Sequence, residues 1–247
     1  MTQDNEGPRD LTRTMRLLWR TDGAATRGPK PALDVDRIVT AAIEIADADG
    51  LAGLSMRKVA DRLGVGTMSL YTYVPAKAEL VSLMLDTVDG EGVLPHTVAG
   101  SWRAKTESWA REDWSFYHRH EWMLHASGRH PLGPNTMRRF DSALRSLADT
   151  GLPEDEIVAN ADVIDTYIRG MARRSVDFRQ REASTGVSED QWWAEHGPML
   201  ETHLTGDRFP AVRRVHDAGA FTSDIDSFEY GLQRILDGIE GRIRTLG

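Results

Sequence analysis

Apolar residues recur at intervals of three and four along this chain, so the pattern predicts one helix after another. Ile38, Ala42 and Ile45 share a face behind Asp34, whose side chain suits a helix cap, and Gly50 ends that run. From Ser55 to Lys77 the inward set is Val59, Leu63, Val65, Leu70 and Tyr73. Ala60 is small enough for a second helix to lie across the first, and Gly64 falls where the first needs a left-handed end. Two short helices joined by a sharp turn make a helix-turn-helix, whose second helix fits a DNA major groove. Pro75 suits the first turn of the next helix, and Leu80, Leu83, Met84 and Val88 mark its buried side. This helix, Lys77 to Asp89, reads as a connector.

Beyond the glycine-bearing stretch DGEGVLPHTVAGS, a long helix is expected from Trp102 to about His125. Trp102, Trp109, Phe116 and Met123 form one stripe, and Trp114, His118, Trp122 and His125 a second, so much of the circumference is buried. Rings in such number either fill a tight core or border a cavity for a flat ligand. The next helix is expected with Asn135 as cap, Met137, Phe140, Leu144 and Leu147 inward, and an end at Gly151. Another opens at Pro153, with Glu154, Asp155 and Glu156 where the helix dipole favours acid, and Ile157, Ala161, Ile164, Ile168 and Met171 on its apolar side. Glu182 to Asp190 reads as a mobile polar segment. Ser188 and Gln191 then have capping-box spacing ahead of Trp192, Trp193, Pro198, Met199 and Leu204, a stretch that serves equally as a lid or an ordinary loop. In the last helix, capped by Ser223, the stripe is Ile225, Phe228, Leu232, Ile235, Ile239 and Ile243, with Gly231 and Gly238 permitting close helix approach. The fold class is all-α: an extension (1–33), a three-helix DNA-binding unit (34–78) and a larger helical domain (79–247).

In the extension, Leu11, Met15, Leu18 and Trp19 lie on one helical face and Arg13, Arg16 and Arg20 on the other. The following TDGAATRGPKPAL reads as an extended arm, whose Arg27 and Lys30 either enter the minor groove or touch nothing. The net charge of −8 looks wrong for a DNA-binding protein, but its distribution is uneven. Residues 1–77 carry 11 Lys and Arg against 10 Asp and Glu, and the remainder 19 against 28. The acid belongs to the second domain. There is no cysteine, which excludes disulfides and thiolate metal sites. No apolar run approaches a membrane span, so a soluble cytoplasmic protein without a membrane partner is expected.

Through AAIEIADADGLAGLSMRKVADRLGVGTMSLYTYVPAKAELV, with Leu70-Tyr71-x-Tyr73 followed by Lys77, the chain resembles the tetracycline-repressor (TetR) family of transcriptional regulators. The resemblance implies an all-helical homodimer that binds a palindromic DNA operator and holds a small-molecule inducer in its carboxy-terminal domain. Carried over by position, the DNA contacts fall on Arg57, Thr67, Met68, Ser69, Tyr71, Thr72, Tyr73 and Lys77. Tyr71 lies one position off the inward set, so its hydroxyl is free to reach a phosphate, whereas Tyr73 is better placed to pack. GSW at Trp102, RHP at 129–131 and FPAV at Phe209 extend a dispersed likeness to the tetracycline-binding subclass. The drug and magnesium ligands of that subclass do not carry over, and no metal or cofactor is expected.

The expected ligand is aromatic or polycyclic, lined by His96, Trp109, Asp113, Trp114, His118 and Trp122. The expected two-fold contact is a four-helix arrangement using Ile164, Ile168, Met171, Phe228, Leu232, Ile235 and Ile239. Ligand beneath the connector would move it and spoil the spacing of the two recognition helices, making the protein a repressor released by its inducer. Two alternatives stand beside this: a DNA-binding dimer without a ligand, and an enzyme using the His- and Trp-rich helix 102–125. The enzyme is the weaker. His120-Glu121-x-x-x-His125 has one residue too many for the zinc-protease spacing, Gly64-x-Gly66 lacks a third glycine and a preceding strand, and no Gly-x-Ser-x-Gly occurs.

Overall fold

The computed structural model describes residues 11–20, 33–126, 132–204, 208–222 and 224–247. Eleven α-helices and four short 3-10 turns occur among them, and no strand. Helix α1 (Leu11–Trp19) precedes the three-helix unit of α2 (Val35–Gly53), α3 (Met56–Leu63) and α4 (Thr67–Tyr73). Helix α5 (Lys77–Asp89) leads into a body made of α6 (Trp102–Arg119), α7 (Pro134–Leu147), α8 (Glu154–Thr185) and α11 (Ser227–Arg244). Helices α9 (Glu189–Glu201) and α10 (Pro210–Asp217) bury no residue.

Local chemistry sets most boundaries. Asp34 caps α2 by accepting from the Arg37 amide, and Gly50, at φ 68°, kinks the end of that helix where a stop is expected. Ser55 caps α3, and Gly64 ends it in the left-handed conformation that a Cβ would strain. Ile38, Ala42, Val59, Ala60 and Leu70 are fully buried where the three helices cross. The Ser188–Gln191 capping box forms with both of its hydrogen bonds.

Other boundaries depart from expectation. Pro75 lies before α5, whose cap is Ala76. The long helix stops at Arg119, because His120 leaves the helical region at φ −118° and ψ 59°, and Glu121–His125 form a 3-10 turn. His118 and His125 therefore share no helix face. Asn135 is not a cap, since α7 begins at Pro134 behind Gly133. Helix α8 runs on through Thr185 into the segment expected to be mobile, and ends at Gly186. Asp226 caps α11, so Ile225 falls outside the helix, and Ser223 lies outside the described residues.

Candidate functional site

Leu70 anchors α4 against α2 and α3, which leaves Met68, Ser69, Tyr71 and Thr72 on the outer surface and Thr67 half-buried. Met68 is 77% exposed, the most exposed large apolar side chain of the described residues. A thioether held in water on a recognition helix suits apolar contact with a thymine methyl. Tyr73 packs against the core, as its spacing requires. Arg57 is exposed beside Asp61, at 3.9 Å. The other cations of α3 are engaged: Lys58 with Asp49 at 3.1 Å and Arg62 with Glu44 at 2.6 Å, pairs that bridge α3 to α2 at the surface. Lys77 stays exposed, with its ammonium 3.1 Å from the Leu51 carbonyl at the end of α2. Arg27 and Lys30 lie outside the described residues.

Helix α5 joins this reader to the body through two acids. Gly133, the cap position of α7, has no side chain to satisfy the first amides of that helix. Asp86 of α5 does so instead, accepting from the Asn135 and Thr136 amides, each at 3.0 Å. A Cβ at Gly133 would collide with that carboxylate, so glycine is required there. One turn on, Asp89 accepts from the Thr136 hydroxyl at 2.6 Å. A second joint lies at the helix break. Asp47 of α2 takes the Trp122 indole N–H at 2.7 Å and faces His120 Nδ1 at 2.8 Å, while His120 Nε2 lies 3.3 Å from Glu91. Reader and body are thus held by α5 and by the middle of α2.

Between α6, α7 and α8 lies a cavity of about 560 Å³, a volume suited to a drug-sized molecule. Trp109, Phe116, Tyr117 and Phe140 supply its rings, and Leu132, Met137, Ala143, Val158 and Ala161 its aliphatic wall. Asp113 and Arg139 form a buried ion pair on the wall, with the second Asp113 oxygen accepting from the Trp109 indole at 2.7 Å. Burial pulls the Arg139 pKa below its ordinary value, while Asp89, Glu112 and Asp165 work against that. The guanidinium also sits over the Phe116 ring, 5.2 Å from its centre. Burial likewise pushes the Tyr117 hydroxyl well above the usual phenol range, so it is a neutral hydrogen-bonding group. Apolar walls that also carry Asp89, Asp155, Asp162, Asp165 and Arg169 select shape and orientation.

Two family models match the chain. That of bacterial regulatory proteins of the tetR family covers residues 38–84, and that of the tetracyclin repressor-like C-terminal domain covers residues 94–243. The chain is 44% identical over 239 residues to the HTH-type transcriptional repressor DrrR1 of Streptomyces coeruleorubidus, an alignment spanning 96% of this chain and 88% of that protein.

The chain belongs to the TetR family.

Among solved structures, apo ActR from Streptomyces coelicolor matches at a TM-score of 0.70 with 28% identity, over 89% of this chain and all of that one. ActR in complex with actinorhodin matches at 0.69 with 29% identity, over 85% and 96%. TetR-family proteins are DNA-binding transcriptional regulators, and the enzyme alternative falls with this assignment.

On this TetR-family frame, only two of the six expected ligand contacts line the cavity, Trp109 and Asp113. His96 is turned to Ser142, with Nδ1 at 2.7 Å from the hydroxyl. Trp114 and His118 face α8 and α11: the Trp114 ring meets those of His118 and Phe228 at a tilt, while His118 Nε2 lies 3.0 Å from Ser175. Trp122 serves the joint to Asp47. These four side chains contact neighbouring elements and do not line the cavity. The periodicity missed Tyr117, Thr136, Arg139 and Arg169; the acids and cations of the long helices are the signal that would have found the last two.

The expected two-fold contact also needs correction. Ile164, Ile168, Phe228 and Leu232 are buried within the protomer, where α8 and α11 pack on each other and on α6, so they are not a surface for a second chain, while Ile239, itself largely buried, borders an outer groove of α8 and α11. Met171 and Ile235 are half-buried against the same core. Gly231 lets Tyr167 cross α11 and place its hydroxyl 2.9 and 2.8 Å from the Ser227 and Phe228 carbonyls, which share its one hydrogen. Gly238, by contrast, opens on an outer groove shared with Ala159, Val163 and Ile235.

Proposed function

We propose that this chain is a homodimeric repressor that leaves a palindromic operator when an aromatic or polycyclic ligand fills the cavity between α6, α7 and α8. The observation that carries this is the joint between α5 and α7: the helix that lines the cavity is capped by the helix that carries the reader. A ligand that shifts the start of α7 pulls Asp86 and hence α5, which changes the separation of two recognition helices that must sit one turn of DNA apart, roughly 34–36 Å. Actinorhodin bound to ActR, a 29% identical neighbour, supports a flat polycyclic ligand class. The outer groove of α8 and α11, with Ala159, Val163 and Gly238 at its floor, is the two-fold face of this reading.

Fluorescence anisotropy on a duplex recovered by in vitro selection tests it, with actinorhodin as the first probe and sedimentation alongside. A dimer that binds the duplex and loses affinity as the probe saturates the cavity is expected. Demonstrable probe binding with unaltered duplex affinity would remove the release mechanism, and a monomer at micromolar concentration would remove the dimer.

A further inference from the structure

Helix α1 precedes both family matches, the first of which begins at residue 38, yet it is anchored at three places that the proposed mechanism uses. Leu18 is buried and Leu17 packs beside it, holding α1 against α5. The Trp19 indole N–H donates at 2.9 Å to the carbonyl of Leu132, a residue 113 positions away that forms part of the cavity wall. Arg20 then turns out of the helix at φ 50°, a left-handed backbone that a side chain adopts only at a cost. That conformation aims its guanidinium at both carboxylate oxygens of Asp36, in the first turn of α2. A helix of nine residues does not persist alone in water, so these contacts keep it in place.

We propose that α1 is a strap coupling the cavity rim to the DNA-reading unit, with Trp19 and Arg20 as positioning residues. The inference rests on the reading above that cavity and reader are coupled. A ligand that displaces Leu132 moves Trp19. Because α1 is fixed to α5 through Leu18 and to α2 through Arg20, the displacement reaches the DNA-binding unit from both ends. The Asp86 joint involves α5 alone, and the Asp47 joint holds α2 by its middle; the strap adds a hold on the first turn of α2. Coupling of this kind is reciprocal, so operator binding must in turn alter the rim.

Hydrogen exchange on the full-length protein, with and without a selected operator duplex, reads that reciprocal effect without any ligand. The amides of Gly133 and Asn135 to Met137 report the rim. In the parent protein, duplex binding is expected to change their exchange about fivefold or more, the lower end of ordinary coupling. Trp19→Phe removes the indole donor and keeps the ring; Arg20→Gln removes the charge. Both sit at half-exposed or exposed positions, and both are expected to lose most of the change while keeping the fold. If the parent shows the change and both variants retain it, the strap is overturned and the coupling survives. If the parent shows no change at the rim, the coupling itself fails and takes the strap with it.

Discussion

Replacing Asp86 by alanine tests the joint between reader and cavity most directly. The carboxylate is 6% exposed and accepts from the Asn135 and Thr136 amides at 3.0 Å and the Asn135 side chain at 3.3 Å, while the Thr136 hydroxyl gives its one hydrogen to Asp89. An ordinary helix cap contributes about 1 kcal/mol, and a hydrogen bond to a charged acceptor about 1.5–3 kcal/mol. The start of α7 is half-buried, so water regains part of the loss, and Asp86→Ala should destabilise by about 2–3 kcal/mol. For a chain of this size that lowers the melting temperature by roughly 5–10 °C. Asp86→Asn keeps an acceptor but loses the charge that the helix dipole favours, so it should fall between the two. Differential scanning calorimetry reads the midpoints, and anisotropy on the selected duplex reads the consequence for coupling, which should shrink in both variants. A midpoint for Asp86→Ala within a degree of the parent would show that the carboxylate does not cap α7.

Tyr71→Ala should weaken duplex binding about tenfold, at the scale of one or two lost polar contacts, and leave the midpoint unchanged, because the ring is on the outer surface; equal loss of both would mean that it packs rather than reads. Arg139→Ala leaves Asp113 buried without its partner and should cost about 3–5 kcal/mol; the double variant Arg139→Leu, Asp113→Leu should recover much of that in a urea titration. Glu229 is held below the usual carboxylate range by the Arg111 guanidinium first and Gln233 second, and Asp237 likewise by Arg103. Their contribution is present above the ordinary carboxylate pKa and disappears as pH falls through the lowered folded values. The midpoint should therefore drop more steeply below about pH 4 in the parent than in Arg111→Gln, and parallel curves would count against the Arg111–Glu229 pair that joins α6 to α11.

The DNA-binding unit was legible because its determinants are local. Asp34, Ser55 and Gly64 sit within three residues of the backbone groups they satisfy, and Ala60 marks a crossing by its size alone. The break at His120 was not legible, since no glycine or proline announces it; its histidine is held by Asp47 and Glu91 from distant segments. The cap of α7 is hidden from the sequence for the same reason: the acid that does the capping lies 49 positions away. The cavity was legible as a possibility in the tryptophans of α6, but Trp114 and His118 turn toward α8 and α11, His96 to Ser142 and Trp122 to Asp47, and helical periodicity does not say which buried face borders empty space. In α8 and α11 it marked the apolar faces correctly but not whether a neighbour in the same chain or in another would cover them.

A helix whose cap comes from elsewhere cannot finish forming until the lender arrives. The C-terminal family match starts at residue 94, after both Asp86 and Asp89, so a fragment cut there would carry α7 with bare leading amides and a wall of its hollow unsupported. A piece that keeps this cap must include α5, from Lys77 onward, so the natural cut does not fall between the two family segments.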